Sequence, residues 1–571
     1  MSLRSSKALS VVIAAAVTVA TPPVLAPSAR ADHTSGSSPH SHAAPASTPA
    51  KPASKRAAIL EGMGKHQHKV TTKDKLAQKY FDQGLTLVYG FNHEEAIRSF
   101  EEAARIDSTC AMAYWGIALA YGPNINLPID PERERAAYAA IERAQHFAPG
   151  VSEAERGYIE VLSVRYSERG DGDRKKLDEA YVDAMRKYAQ ANPKDTDAQV
   201  LFAEALMNLR PWDHWTKDGK PQPGTEELIA VLEGVLAKEP NHPGANHYYI
   251  HSIEASPHPE KAVPSAERLT KLVPGGGHLV HMPAHIWMRT GRYADASKAN
   301  AQAYAVDEKY LAKENPGGIY PIMYTTHNIH FLWASQAMEG KSSAAIASAR
   351  GAAARISADM VRAMPMAEFV PPTTYFALVR FGKYEEMMLE PPPPADLRYT
   401  RGMWHYGRGM ALSNTGRAQY GWPELDSLLA IRQSISPDLV VGINSAQALL
   451  AVAGAVLRAE IASFTGQTEA ADTAYKAAIA LEDDLKYDEP PGWYQPTRQL
   501  YGAWLLDQKR GEDAERIYRE DLVRNPENGW SLFGLSRALL LNGKPTEAAE
   551  AEVRFKKAWA GADVTLQASR F

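Results

Sequence analysis

Nine of the chain's eighteen histidines fall between His242 and His330, in the runs HPGANHYYIHSIEAS, GGGHLVHMPAHIWMRTGRY and YTTHNIHFLW. Imidazole is a base, a proton carrier and the commonest side-chain metal ligand, so this clustering raises a metal first. His247 and His251 are four residues apart, as are His281 and His285, a spacing that stacks two rings on one helix face. Corresponding members of the two pairs are 34 residues apart. Cys110 is the only cysteine, so any metal here takes nitrogen and oxygen ligands and no thiolate.

A period of 34 residues is that of the tetratricopeptide (TPR) helix–turn–helix repeat, and the rest of the chain supports it. From Ala77 the sequence supplies Gly84, Ala96, Phe100 and Ala103, the small and aromatic residues that let paired helices approach closely. Similar units follow, the later ones marked by Gly502, Ala514, Tyr518 and Pro526, then Gly543 and Ala548. Nothing reads as a sheet. The expectation is an all-α TPR-type solenoid over residues 58–571, a right-handed superhelix of about nine or ten helix pairs.

In that register Tyr249, Ile250 and Ile253 pack between helices, while His247, His251 and Glu254 face the concave groove. His278, His281 and His285 face it from the next unit, and His327 and His330 from a unit starting near Thr326. Asp197, Glu204 and Asn208 add oxygen donors from one unit upstream. Adjacent helices lie about 8–10 Å apart, close enough for rings from neighbouring units to share an ion. Pro283 is the weak point: a helix starting there leaves His278 and His281 on the approach loop.

The expected ligands are therefore His247, His251, His278, His281, His285, His327 and His330. Imidazole without thiolate suits copper, zinc, iron or nickel rather than calcium or magnesium. Three histidines for each of two ions is what a coupled copper pair needs, which favours oxidative copper chemistry slightly over zinc hydrolysis. The zinc alternative uses Glu254 or Glu204 as general base. Tyr248, Tyr249 and Tyr324 offer walls for an aromatic substrate, and the inserts YGPNIN and RPWDHW offer more. His66, His68 and His93 are outlying candidates; His242 and His258, in proline-flanked loops, read as bystanders.

The runs YFDQGLTLVYGFNHEEAIRSFEEAARID, AMAYWGIALAYGPNIN, HYYIHSIEAS and GGGHLVHMPAHI together resemble a group of exported bacterial TPR proteins. That resemblance implies a fold and not a reaction. The wider TPR family implies peptide or protein binding in the groove, so the alternative reading is a non-catalytic adaptor, with an envelope protein as partner. Histidine stands where a carboxylate-clamping TPR has lysine or asparagine, which speaks against that clamp.

The N-terminus reads as targeting. Arg4 and Lys7 precede an apolar run from Ala8 to Ala20, and Ala29-Arg30-Ala31 is a cleavage-site pattern. Residues 1–31 are the expected signal peptide and 32–57, rich in Ser, Pro, Ala and His, a disordered linker. The mature protein is expected to be exported, periplasmic or secreted, with no membrane span. The 63 basic and 67 acidic residues give a net charge of −4 and no basic block, which points away from nucleic acid.

Overall fold

The computed structural model describes residues 56–316 and 318–571. The expected signal peptide, and all of the expected linker except Arg56 and Ala57, lie outside them. Ala58–Phe571 is one compact unit.

The unit is built from helices that follow one another in pairs. Its first pair is Lys75–Tyr89 with His93–Ile106, and its last is Gly529–Leu541 with Pro545–Ala558. Among the described residues twelve such pairs form, against the nine or ten expected, the shortest being Thr373–Arg380 with Tyr384–Leu389. The close packing read from the small residues is physical. Phe100 lies between two helices, and a β-carbon on Gly84 or Gly116 would come within 2.6 or 2.5 Å of its ring. Tyr518 is seated in the same way, by Gly502 and Gly534. Where a unit turns, Asp74 and Asn92 cap the following helices through their side chains.

Three local expectations are corrected. Pro283 does not push His278 and His281 into a loop. Gly277–His281 and Pro283–Arg289 are both helical, Met282 between them keeps helical angles, and its N–H bonds the His278 carbonyl at 3.0 Å. Proline costs the helix one hydrogen bond here without ending it. The unit expected to start near Thr326 begins earlier: Tyr293–Glu314 runs long, and the next helix, Tyr320–Met338, starts six residues before Thr326. One small sheet does form. Val440–Val441 pairs antiparallel with Asn444–Ser445 around Gly442, whose φ of 63° suits a tight turn.

The helix Ala446–Phe464 is long and apolar enough to cross a membrane by length and composition, but 67% of that stretch is buried inside the protein. Val452, Ala453, Val456 and Leu457 on it are fully buried in the main core of the C-terminal half. It is a core helix here.

Candidate metal centre

Helix Pro243–Ile253 carries His247 and His251, the kinked segment Gly277–Arg289 carries His278, His281 and His285, and helix Tyr320–Met338 carries His327 and His330. Six of these seven come together as two sets of three. In each set, His247, His251 and His278, and His281, His285 and His327, the ring nitrogens lie within 4.8 Å of one another. The sets abut, with ring centroids 5.7 Å apart between His251 and His285 and 5.8 Å between His278 and His281. The helical repeat brings the first and second pairs alongside, as expected. His278 rather than His330 completes the first triad, because the continuous helical path through Met282 turns it inward. His330 lies outside both triads, stacked on Trp333 at 5.6 Å.

The concavity is not an open groove at this point. His247 and His281 have no exposed surface, and His251, His278 and His285 are buried. Phe91, from the turn after the first helix, covers the first triad, 4.6 Å from His247 and stacked on His251 and His278. Its backbone is in the left-handed region, φ 56°, an arrangement costly for a bulky residue and held in place by this packing. Phe331 covers the second triad from 5.0–5.6 Å.

Outer hydrogen bonds decide which ring nitrogen faces inward. His247 Nδ1–H donates to the Tyr89 carbonyl at 2.6 Å. His251 and His285 Nδ1–H donate to the two oxygens of Glu254, at 2.9 and 2.5 Å. His281 Nδ1–H donates to Asn300 Oδ1 at 2.5 Å, and the Asn300 amide is oriented by its own N–H on the Ala296 carbonyl. Each of these acceptors can only accept, so in a neutral ring each Nε2 keeps its lone pair. The His281 and His285 Nε2 atoms then face each other at 2.7 Å with no proton to share. His247 Nε2 faces His278 Nε2 at 3.1 Å, and His251 Nε2 is buried with no partner.

Five of the six rings are pushed toward the neutral form. Burial, reinforced by repulsion between neighbouring imidazoles, holds His247, His278, His281 and His327 well below the usual histidine range. Burial also lowers His251, against the pull of Glu254. In four of the six rings Nδ1 is anchored to a carbonyl or carboxylate oxygen, the arrangement that orients histidine toward a metal, while His278 Nδ1 is buried with no partner. Each triad offers three imidazole nitrogens that could hold a metal ion.

The carboxylates do other work than expected. Glu254 is no free general base: both its oxygens hold imidazoles, one from each triad. Burial alone would raise it, but His285 and His251 bring it down to about 2. Glu204 lies apart from the triads, with Asn208 on one oxygen and Arg165 3.5 Å away. Sequence reasoning missed Glu489, which lies within 4.8 Å of His285 and Glu254 and which burial and the Glu254 charge push far up. It reaches the centre from 200 residues away, and no local signal marked it.

His66 and His68 join neither triad. His66 Nε2 donates to Asp197 Oδ1 at 3.0 Å and His68 Nδ1 to Oδ2 at 2.8 Å. His242, expected to be a bystander, donates to the same carboxylate at 3.1 Å, as does the Tyr89 hydroxyl. His242 Nδ1 accepts the Ala245 N–H, so its Nε2 carries a proton and no lone pair for a metal. This cluster is a closed hydrogen-bond lock on the N-terminal arm. His93 is buried beside Asn124 and pushed down to about 3 by burial, while His258 pairs with Glu260 at the surface.

A cavity of about 310 Å³ opens beside the triads, reached by His251, His278, His285 and His327. Both inserts wall it, through Ile125, Asn126 and Trp212, and Trp212 Nε1–H donates to Asn126 Oδ1. Tyr324 lines it, whereas Tyr248 and Tyr249 pack away from it. The far wall comes from the C-terminal half, including the Gly442 turn and the loop holding Glu489.

No family model and no curated protein matches the chain. Among solved structures it is similar to the human IFIT1 dimer with PPP-AAAA, at 14% identity and TM-score 0.31, over 85% of this chain and 91% of that one. It is also similar to yeast Tom70, at 11% identity and TM-score 0.29, over 84% and 90% of the chains. These are likenesses of helical arrangement. The class is an all-α solenoid of TPR-type helix pairs, defined by the pairs themselves and by the glycine–aromatic packing within them.

Proposed function

We propose that the protein holds two copper ions, one on each histidine triad, and uses them in oxidative chemistry on a small molecule in the adjoining cavity. The observation that carries this is the His281–His285 contact. Two Nε2 atoms stand 2.7 Å apart while both Nδ1–H groups are committed to acceptors. Two lone pairs so placed in a dry site repel unless a cation lies between them. Protonating His281 instead would place a charge where burial already disfavours it.

The donor set favours copper. All six inward atoms are imidazole nitrogens, and the nearest carboxylate with a negative charge, Glu254, is turned to the Nδ1 side. Di-iron and di-manganese sites in helical proteins put carboxylate oxygens on the metals. Copper stands highest in affinity for nitrogen ligands. When bound, a copper pair would supply two-electron oxidation, with two substrate molecules together giving up the four electrons and four protons that turn one dioxygen into two waters. The chain's own groups prepare that chemistry. Phe91 and Phe331 keep water from the imidazoles, Glu254 fixes one ring of each triad, and the cavity brings substrate to His285 and His327.

A peptide adaptor is less well supported, because the concave face at these repeats is filled by side chains. The signal-like N-terminus supports loading outside the cytoplasm. The test is elemental analysis of tag-free protein after anaerobic reconstitution with Cu(I). Two copper ions per chain, reduced to one by His281→Ala, are expected, with no electron-paramagnetic signal once a coupled pair is oxidised. Less than one equivalent, or no loss in the variant, refutes the reading; zinc retained in preference to copper would move it to hydrolysis.

A further inference from the structure

Beyond the metal ligands, helix Tyr320–Met338 presents a second set of groups to the cavity. Thr326, His330 and Trp333 line it and are spaced to share one helix face. All three are buried, at 2%, 7% and 3% exposure. Each also carries a buried polar atom with no hydrogen-bond partner: Thr326 Oγ1, His330 Nδ1 and Trp333 Nε1. An unmatched buried donor or acceptor is costly, and three on one cavity face mark a place where another molecule supplies the partners.

The chemistry of that molecule follows from the atoms. Indole Nε1–H only donates, so its partner must be an acceptor. The surrounding wall is aromatic: Phe369, Phe376 and Tyr494, the last two stacked with their centroids 4.5 Å apart. Among the described residues no lysine or arginine lines the cavity, so an anion finds no counter-charge there. Its two carboxyl groups, Asp488 and Glu489, are already taken by protein donors, Asp488 by the Ile443 and Glu489 N–H groups and Glu489 by the Tyr487 hydroxyl. At this end of the cavity the unmatched groups are the Thr326 hydroxyl, His330 Nδ1 and the Trp333 indole, none of which carries a negative charge to pair a cationic amine. From His327 to Trp333 the helix rises roughly 9 Å, about the length of one substituted benzene ring.

We infer that this end of the cavity is a recognition subsite for an uncharged aromatic molecule bearing a carbonyl or ether oxygen, which Trp333 holds while the opposite end of the ring faces His285 and His327. The substrate class rests on the oxidative reading above; the subsite itself does not need the metals.

The experiment therefore uses full-length protein in metal-free and copper-loaded forms, with copper content measured on each sample. Two non-reacting probes are compared by calorimetry: para-methylacetophenone and para-isopropyltoluene, which replaces the carbonyl oxygen by a methyl group of similar shape and carries no acceptor. The ketone is expected to bind about tenfold tighter or better, in both forms, because its isostere leaves the Trp333 donor unmatched. Trp333→Phe should erase that preference while keeping isostere binding and copper content. Equal binding of the two probes to the unaltered protein, no binding of either, or a preference that survives in Trp333→Phe overturns the subsite. Because the probe comparison uses the unaltered protein, a misfolded variant does not rescue the idea. Ketone preference without copper uptake would sink the oxidative reading and leave the subsite standing.

Discussion

Glu254→Gln is the sharpest perturbation of the centre. One carboxylate accepts Nδ1–H bonds from both triads, 2.9 Å from His251 and 2.5 Å from His285. Glutamine keeps one acceptor oxygen and replaces the other by an amide that only donates. The carbonyl should stay with His285, whose bond is shorter, and the amide should face His251. His251 then has to accept at Nδ1, which moves its proton to Nε2, the position meant for the metal. Loss of such an outer partner typically costs 10–100-fold in metal affinity, or about 1.4–2.8 kcal/mol. The first triad, His247, His251 and His278, should weaken by that amount and the second much less. Competition with a Cu(I) chelator should resolve one tight and one weakened site, and His285 should keep its place in the tight one. Two unchanged affinities in the variant would refute the proposed tautomers and, with them, the argument for a metal at His281 and His285.

The metal-free protein should lose stability on acidification. His247, His278, His281 and His327 are held below their usual range, so the unfolded chain binds more protons as pH falls past about 6.5. Each histidine contributes a slope of up to about 1.4 kcal/mol per pH unit below that point, and urea titrations between neutral and mildly acidic pH should show it. Copper should displace the midpoint upward at every pH where it stays bound. Asp197→Asn should release the arm, since His66, His68 and His242 all donate to that carboxylate. Faster hydrogen exchange over residues near His66, with copper content preserved, is the expected result; unchanged protection would refute the lock. Burial lowers the His66 and His68 pKa values, but Asp197 outweighs it and the net shift is upward. Their charged contribution is thus full below about 6.5 and lost as pH rises through the folded values. Gly84→Ala should cost about 1–3 kcal/mol through overpacking against Phe100, read by thermal melting, with the metal centre intact.

How far the sequence reached depends on the range of the interaction concerned. The 34-residue spacing and the Gly84–Phe100 pattern are local regularities repeated along the chain, and they determined an all-α array of helix pairs. The four-residue pairing of His247 with His251 and of His281 with His285 is likewise local, since helical geometry alone puts such rings on one face. Membership of the triads was not local. Whether His278 joined the first triad depended on the helical path continuing through Met282 and Pro283 instead of starting at Pro283. The role of Glu254 depended on two imidazoles from different helices reaching it, and Glu489 and the cavity depended on the C-terminal half closing over the N-terminal one. The bearing of each Nε2 depended on partners such as Asn300 and the Tyr89 carbonyl, 19 and 158 residues distant. Sequence spacing carries what neighbours on one helix do. Contacts across many repeats come from accumulated packing angles, and only the folded chain decides those.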